Sequence, residues 1–538
     1  MTSIINTITR MRPKLALLCT LMLACCCLAA PAQAEYVTND ALHLGIISVA
    51  TNRVNPLTPV EREFMSVTNL MYEGLMSIDD EYKPQYCLAE RYSYTNSGKT
   101  WFFYLRDGVT FHDGTPLTAH DVVATVQEIL RLAKDDSSTN KGRYSTLQYF
   151  IKSIEASDNK TVVITTNRNN YGFLYAMTFP ILKADEVQAD NPVGTGPYYL
   201  DMYDFSSYLL LSCYTGWWQN LPDYRQVLVS LYSTNRELIS GYEYSNVDAI
   251  LTRAITAAQY RTGVTSYNID YRTTQLETLM MNNGSYELKD VRVRQAIRYM
   301  LDLDDIVNNV YYGMVTRTDT PLIPGTWTYW SENDAQQFNK QRAMELLNEA
   351  GWTDYDENGV RTTVRADTGK LARMHLRFYV YEEQENSVRV EVANRIADAL
   401  MQVGIECKVE TLTYKEARDK LKAGSYDLCL AAFNIDFTPD PGYLLISGNN
   451  CNYMRYKSTE MDNLFKTLRA AQEESAYRAA LQSIQTLFWN DCPFVCLYYR
   501  NGSVLTRKMF TDARDVREPE VLRGIETFKK KKCKSAGT

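Results

Sequence analysis

Strand-like and helix-like segments alternate along this chain of 538 residues, and this alternation limits the fold more than any other feature. Residues 99–105, KTWFFYL, lie between turn signals and predict a strand. Thr118 and Asp121 then form a capping-box pattern, and apolar residues recur at helical spacing as far as Leu130. Because strands and helices alternate without a strict strand-helix-strand rhythm, the sequence predicts a mixed α/β protein with more than one lobe.

Three further segments carry helical periodicity: residues 291–310, 341–350 and 388–401. In the first, Val293, Ile297 and Met300 mark an apolar stripe. Arg292 and Arg294 could bind an anion, but the pattern favours placing both on the exposed side of this helix. The alternative, anion binding, stays open at this point.

Length and charge exclude some classes of protein. The chain exceeds the roughly 100–200 residues of one domain, and it is 45% hydrophobic and 22% charged, which supports a sizeable core. The formal net charge of -7 argues against a broad nucleic-acid-binding surface, which would be basic. We therefore expect no nucleic-acid partner.

The N-terminal segment resembles an export signal. Arg10, Arg12 and Lys14 precede an apolar run over residues 15–30, and a small-x-small pattern ends at Ala34. This predicts a signal peptide over residues 1–34 that is cleaved after Ala34, although an imperfect lipobox before the cysteines at 25–26 leaves lipid anchoring open as an alternative. No other stretch of 18 or more apolar residues follows, so we expect an extracytoplasmic protein, periplasmic or at the cell surface, without a membrane span.

Common catalytic and cofactor motifs are absent from the sequence. The chain has 4 His and no HExxH pair, no phosphate-binding GxxxxGK[ST] loop, and no GxSxG elbow. Residues 354–359 resemble the start of an EF-hand, but Arg365 stands where the bidentate Glu would be, so a surface hairpin turn is predicted there. We expect no catalytic residues, no metal and no cofactor, and hence not an enzyme.

Six sequence blocks, in order, resemble one family. They include YEGL at 72–75, FHDGTPLTA at 111–119, VGTGPY at 193–198, DVRVRQAI at 290–297, LLNEAGW at 346–352 and DCPF at 491–494. These blocks resemble the family 5 solute-binding proteins, which include the oligopeptide-, dipeptide- and nickel-binding proteins of ABC importers. The likeness extends over nearly the whole chain beyond residue 34.

The resemblance implies a two-lobed periplasmic-binding-protein-like clamshell of class II with an extra inserted α/β domain. It predicts a discontinuous lobe I over residues 35–72, 189–278 and 490–538, an inserted domain over 73–188, and lobe II over 279–489. It further implies that the protein captures a dipeptide or oligopeptide between the lobes and delivers it, as a monomer, to the permease of an ABC importer. A metal chelate, an opine or an oligosaccharide is the alternative ligand, and an exported hydrolase is a more distant one.

The resemblance also points to ligand-binding residues. The family aspartate that binds a peptide's ammonium group aligns with Asp436, which follows an apolar strand, although a turn-capping role for this residue stays open. Phe433 stands where the family usually has Trp, and Arg389 lies near an arginine position of dipeptide binders. The remaining candidates for the walls of the site are Phe437, Tyr443, Tyr271 and Thr274.

Overall fold

A computed structural model describes most of the chain. The described residues are 38, 41–48, 53–58, 62–95, 98–134, 144–167, 171–261, 267–330, 337–383, 388–435, 437–507, 516–518 and 520–522. The predicted signal at 1–34, with both of its processing alternatives, and Asp436 lie outside these residues.

A mixed sheet of eleven strands forms the centre of the molecule. Ten of its strands follow the spatial order β18-β17-β19-β12-β20-β11-β1-β10-β9-β8, and β13 pairs with β20 beside this path. The strands are β1 (Leu42–Ile47), β8 (Tyr198–Asp204), β9 (Tyr208–Cys213), β10 (Gln226–Tyr232), β11 (Ala249–Thr252), β12 (Tyr267–Met281), β13 (Val315–Arg317), β17 (His375–Tyr381), β18 (Glu406–Leu412), β19 (Leu428–Asn434) and β20 (Phe494–Thr506).

The two longest strands of this sheet, β12 and β20, lie side by side over most of their length. In one half, residues 267–272 of β12 pair with residues 501–506 of β20, and in the other half residues 276–280 pair with residues 494–499. The ladder is irregular between Arg272 and Leu276. Both strands nevertheless continue through this step, so the large sheet is not interrupted there.

Smaller sheets lie outside the central one. The inserted α/β domain has a four-stranded antiparallel sheet in the order β4-β5-β7-β6, and a two-stranded ribbon, β2 with β3, lies beside it. These strands are β2 (Met76–Ile78), β3 (Pro84–Tyr86), β4 (Ala89–Thr95), β5 (Thr100–Leu105), β6 (Ile151–Ala156) and β7 (Thr161–Thr166). A third sheet, in lobe II, contains β14 (Asp354–Tyr355), β15 (Arg361–Val364) and β16 (Leu371–Arg373).

The helices pack on these sheets. They are α1 (Arg62–Thr68), α2 (Ala119–Ala133), α3 (Leu147–Phe150), α4 (Phe173–Ala176), α5 (Asn235–Glu243), α6 (Val291–Tyr299), α7 (Leu303–Asp305), α8 (Lys340–Glu349), α9 (Val388–Met401), α10 (Tyr414–Ala423), α11 (Gly442–Leu445), α12 (Thr459–Leu468) and α13 (Glu474–Asp491), with a 3-10 turn at Ile255–Tyr260 and a π turn at Ile306–Val310. No helix among these residues is both long and apolar enough to cross a bilayer.

Locally encoded elements agree with the sequence. The carboxylate of Asp121 accepts hydrogen bonds from the backbone N–H and the hydroxyl of Thr118, which caps α2 as predicted. The predicted hairpin turn is confirmed: Asp356 accepts backbone N–H groups inside the turn, Gly359 has a φ of +76°, and β14 pairs with β15. Both features depend on neighbours only a few residues apart.

Two expectations about residues 291–310 were wrong. The segment is not one helix, because α6 ends at Tyr299 and the side chain of Asp302 caps a new turn by accepting the N–H of Asp305. Arg294 is not on an exposed face: it is 6% exposed and donates to the carbonyls of Asp491 and Cys492, at the end of α13. Another helix end covers the face that was expected to meet solvent.

Close backbone packing explains the glycines of the VGTGPY block. A Cβ at Gly194 would lie 2.0 Å from the carbonyl oxygen of Met71, and one at Gly196 would lie 2.6 Å from that of Leu70. The backbone N–H of Gly196 donates to Met71 at 2.9 Å. Glycine is required here for contact between two chain segments, and this contact holds residues 69–73 beside the inserted domain.

Candidate ligand-binding cleft

A cavity of about 350 Å³ lies where the lobes and the inserted domain meet. This volume is near the lower end of the range, roughly 300–1,000 Å³, that small-molecule sites occupy. Residues from four parts of the chain line it: Asn69 and Ile78; Tyr144, Thr146, Leu147, Phe150, Tyr175, Ala176 and Thr178; Asn434, Ile435, Phe437 and Thr438; and Arg517 and Glu520. The cavity thus combines an aromatic and aliphatic wall with a few polar groups, which is the composition expected for a ligand site.

The end of β19 and the loop after it supply the lobe II wall. The backbone N–H of Ile435 donates to the carbonyl of Thr274 on β12 at 2.9 Å, which holds the loop at the edge of the sheet. The ring of Phe437 stacks on Tyr82, with centroids 5.9 Å apart. Residues 435 and 437 both line the cavity, on either side of position 436.

Tyr82 has an unusual environment between the lobes. It has a φ of +64° and is 3% exposed, and its hydroxyl finds no hydrogen-bond partner among the described residues. Burial raises the pKa of Tyr82 to about 12, so the hydroxyl keeps its proton. Tyr82 stands behind the lining of the cavity of about 350 Å³, where its ring supports Phe437.

A segment near the C-terminus crosses the same region. The guanidinium of Arg517 lies over the ring of Tyr82, 5.4 Å from its centroid, and donates to the carbonyl of Ile78. The carboxylate of Glu518 accepts the N–H of Thr274 at 2.9 Å and lies 3.9 Å from Arg253. These contacts join the C-terminal segment to β12 and to residues 78–82, and they place a cation, Arg517, at the cavity wall.

The predicted wall residues do not all meet at the cavity. Of those that are described, Phe437 lines it, whereas Phe433 and Tyr443 pack against the hydrophobic core. Tyr271 is 3% exposed and its ring lies against Gly502, and Thr274 is held by Glu518. Tyr271 and Thr274 therefore support the strands behind the cavity.

Arg389 lies in a buried ion pair away from the cavity lining. It is 0% exposed and bonds to Glu277 at 2.6 Å and to Glu383 at 2.9 Å. Burial alone lowers the pKa of Arg389, but the adjacent Glu277 carboxylate outweighs it, so the pKa is raised. Its Nη1 has no hydrogen-bond partner among the described residues. A ligand-binding role for Arg389 stays a prediction.

Contacts across the cleft hold the inserted domain against lobe II. Lys83 pairs with Glu474 at 2.8 Å, and the Tyr94 hydroxyl donates to Glu473 at 2.8 Å. The indole N–H of Trp327 donates to the Tyr175 hydroxyl at 2.7 Å. These contacts join the inserted domain directly to lobe II.

Several lining residues were not predicted from sequence, including Asn69, Tyr144, Tyr175, Arg517 and Glu520. They come from segments that are far apart in the chain, so no local pattern links them. The one available signal was the YEGL block, which begins three residues after Asn69.

Comparisons with known proteins place this architecture in a family. The oligopeptide-binding protein AppA of Bacillus subtilis is 23% identical over 473 residues, covering 83% of this chain and 84% of that protein. Heme-binding protein A of Haemophilus influenzae is 22% identical over a match that covers 77% of this chain and 79% of that protein. The structure of Bacillus subtilis AppA in complex with a nonapeptide matches with a TM-score of 0.66 at 21% identity, over 91% of this chain and 99% of that one.

The family model for bacterial extracellular solute-binding proteins, family 5, middle part, matches residues 83–454. The matched range begins just before β3 and ends beyond β19. The resemblance seen in the sequence blocks and the two-lobed α/β fold are thereby confirmed. The chain belongs to family 5 of the bacterial extracellular solute-binding proteins and is a binding protein rather than an enzyme.

Proposed function

We propose that this protein captures a peptide in the cavity between its lobes and delivers it to the permease of an ABC importer. The observation that carries the proposal is the cavity itself, which both lobes and the inserted domain line and which the loop around position 436 borders. The peptide named in the AppA complex supports a peptide as the ligand class. The protein acts outside the cytoplasm as a monomer, exported by its N-terminal segment and either released or lipid-anchored.

Opposite charges at the cavity fit the two ends of a peptide. Asp436 is proposed to accept hydrogen bonds from the terminal ammonium group, since its neighbours Ile435 and Phe437 line the cavity. Arg517, which lines the cavity and lies over the ring of Tyr82, is proposed to provide a cation for the carboxylate. Exclusion of water on closure strengthens both interactions.

Calorimetry with trialanine and its blocked forms tests this assignment. A charge-assisted hydrogen bond contributes about 1.5–3 kcal/mol, so N-acetylation and Asp436→Asn should each weaken binding by at least about tenfold. For the acetylated peptide, Asp436→Asn should weaken binding little further, because the ammonium group is already gone. Asp419→Asn, at an exposed position on α10, is the control. Equal affinities for Asp436→Asn and Asp419→Asn would reject the role of Asp436.

The same titrations decide between ligand classes. Hemin, a nickel–histidine chelate, an opine and an oligosaccharide are measured beside the peptide, since one relative is named for heme binding. Saturable binding of one of these with no response to any peptide would replace the peptide by that solute and leave the fold assignment unchanged.

A further inference from the structure

A second compartment continues the cavity between lobe I and the inserted domain. Its volume is about 290 Å³. Asn69, Thr178 and Glu520 line both spaces, so the two meet along a shared boundary. We propose that this compartment is part of the binding site and receives a basic side chain of a peptide that extends beyond the first cavity. This proposal rests on the proposed function.

The strand β2 runs along both spaces and gives their combined length. Ile78 lines the first cavity, while Gly74, Met76 and Ser77 line the second. At about 3.3 Å per residue in extended chain, the step from Gly74 to Ile78 covers at most about 13 Å, because the chain bends at Leu75 before β2 begins. A ligand that follows this path has room for about four extended residues, more than a dipeptide occupies.

A second segment of the chain runs beside residues 74–78 along both spaces. Tyr175 and Ala176 line the first cavity, Thr178 lines both, and Pro180 lines the second. An isolated antiparallel bridge between Gly74 and Pro180, and a hydrogen bond from the N–H of Met76 to the carbonyl of Met177 at 3.0 Å, hold the two segments side by side. One wall of both spaces is thus built from paired backbone, which gives it a defined shape.

Charge and aromatic surface in the second compartment favour a cation. Of the described residues that line it, Glu73 and Glu520 carry carboxylates and none is Lys or Arg. Glu73 is fixed in place, because it accepts the indole N–H groups of Trp217 at 3.3 Å and Trp218 at 3.1 Å. The aromatic lining includes Tyr86, which is 47% exposed.

An arginine of the protein itself, Arg106, already lies against one of these aromatic rings. Arg106 lies 4.5 Å from the ring centroid of Trp218 and donates to the carbonyl of Cys87 at 3.1 Å. Stacking of a cation on an indole is therefore compatible with the local geometry. A basic ligand side chain in the compartment would meet the carboxylates of Glu73 and Glu520 together with the exposed ring of Tyr86.

The test compares peptides of different length and charge on the full protein. Dialanine, tetra-alanine and tetrapeptides with arginine or glutamate at position 3 or 4 are titrated by calorimetry. Arginine at one of these positions should bind about fivefold to tenfold more tightly than glutamate, a modest effect because the compartment is partly open to solvent. Dialanine should bind more weakly than the arginine tetrapeptide.

Exposed positions on the lining give variants that should fold normally. Gln219 is exposed; it lines the second compartment and does not line the first cavity. Gln219→Arg should remove the preference for arginine, Gln219→Glu should widen it, and both should leave dialanine binding within about twofold. Tyr86→Ala should weaken binding of the arginine tetrapeptide alone, and Tyr355→Ala, at a 50% exposed site in lobe II, is its control.

The outcomes separate this inference from the proposed function. If dialanine and all tetrapeptides bind equally, or if Gln219→Arg and Gln219→Glu behave alike, the second compartment is not part of the site, although the protein still binds peptides. If no peptide of any length binds, both the proposed function and this inference are wrong.

Discussion

At the scale of single residues, His112 shows how one side chain joins two motifs of the sequence. Its Nδ1 accepts the N–H of Gly194 at 3.2 Å, and its Nε2 lies 3.1 Å from the carbonyl of Gly196. This pattern requires the neutral ring, protonated at Nε2. Burial lowers the pKa of His112 to about 4. The FHDGTPLTA and VGTGPY blocks are therefore held together by an uncharged imidazole.

The depressed pKa of His112 predicts how stability changes with pH. An unfolded histidine titrates near about 6.5, so between roughly pH 6.5 and 4 the unfolded chain binds the extra proton. The contribution of His112 to stability is complete above pH 6.5 and is lost as the pH falls toward 4. In denaturant titrations, His112→Gln should flatten the pH dependence in this interval, whereas the exposed His120→Gln should not. Parallel pH profiles for wild type and His112→Gln would contradict this assignment.

At the scale of elements, α6 caps the end of α13. Arg294 donates from Nε to Cys492 at 2.9 Å and from Nη2 to Asp491 at 2.6 Å, and Arg298 donates to the carbonyl of Trp489 at 2.6 Å. The last carbonyls of a helix lack partners within the helix. Burial lowers the pKa of Arg294, and the nearby ionisable side chains of Cys492 and Asp491 offset this effect only in part.

Removing this cap should lower the stability of the folded protein. Arg294→Met leaves buried carbonyls without a donor, so we expect the free energy of unfolding to fall by about 2–4 kcal/mol. Arg292→Met, on the same helix but partly exposed beside Asp290, should cost less than about 1 kcal/mol. Urea unfolding followed by circular dichroism measures both. Equal losses would show that the burial of Arg294 does not matter to stability.

The sequence predicted elements better than the site for a physical reason. The capping pair Thr118 and Asp121 and the turn at Asp356 depend on contacts a few residues apart, and both formed as expected. The cavity instead brings Asn69, Tyr175 and Arg517 together from across the chain. Helical periodicity alone misplaced Arg294, because periodicity distinguishes the faces of a helix but not what covers each face.

At the scale of the whole molecule, contacts join the inserted domain to α13 and to the residues just before it. Glu474 accepts both from Lys83 at 2.8 Å and from the Tyr171 hydroxyl at 3.2 Å. The backbone N–H of Tyr171 donates to Ala471 at 2.9 Å. These groups would separate if the lobes opened, so they stabilise the closed form alone. Opening would pivot at the irregular step between Arg272 and Leu276.

Weakening these contacts should shift the protein toward the open form. Glu474→Gln removes the charge that pairs with Lys83, so the ligand should dissociate about threefold to tenfold faster while its association rate changes little. Stopped-flow kinetics measures both rates, and X-ray scattering should show a larger radius of gyration without ligand. Glu460→Gln, at an exposed position on α12, is the control. An unchanged dissociation rate would mean that Glu474 does not help to hold the lobes shut.

The strand β20, residues 494–506, has a consequence for how the chain is made. It lies in the middle of the large sheet, between β12 and β11, and so this sheet cannot complete its hydrogen-bonded ladder until the ribosome has passed position 506. Partners this distant in sequence also assemble slowly. The large sheet is therefore completed only after nearly the whole polypeptide has been synthesised, whereas the four-stranded sheet of residues 89–166 has all its strands early in synthesis.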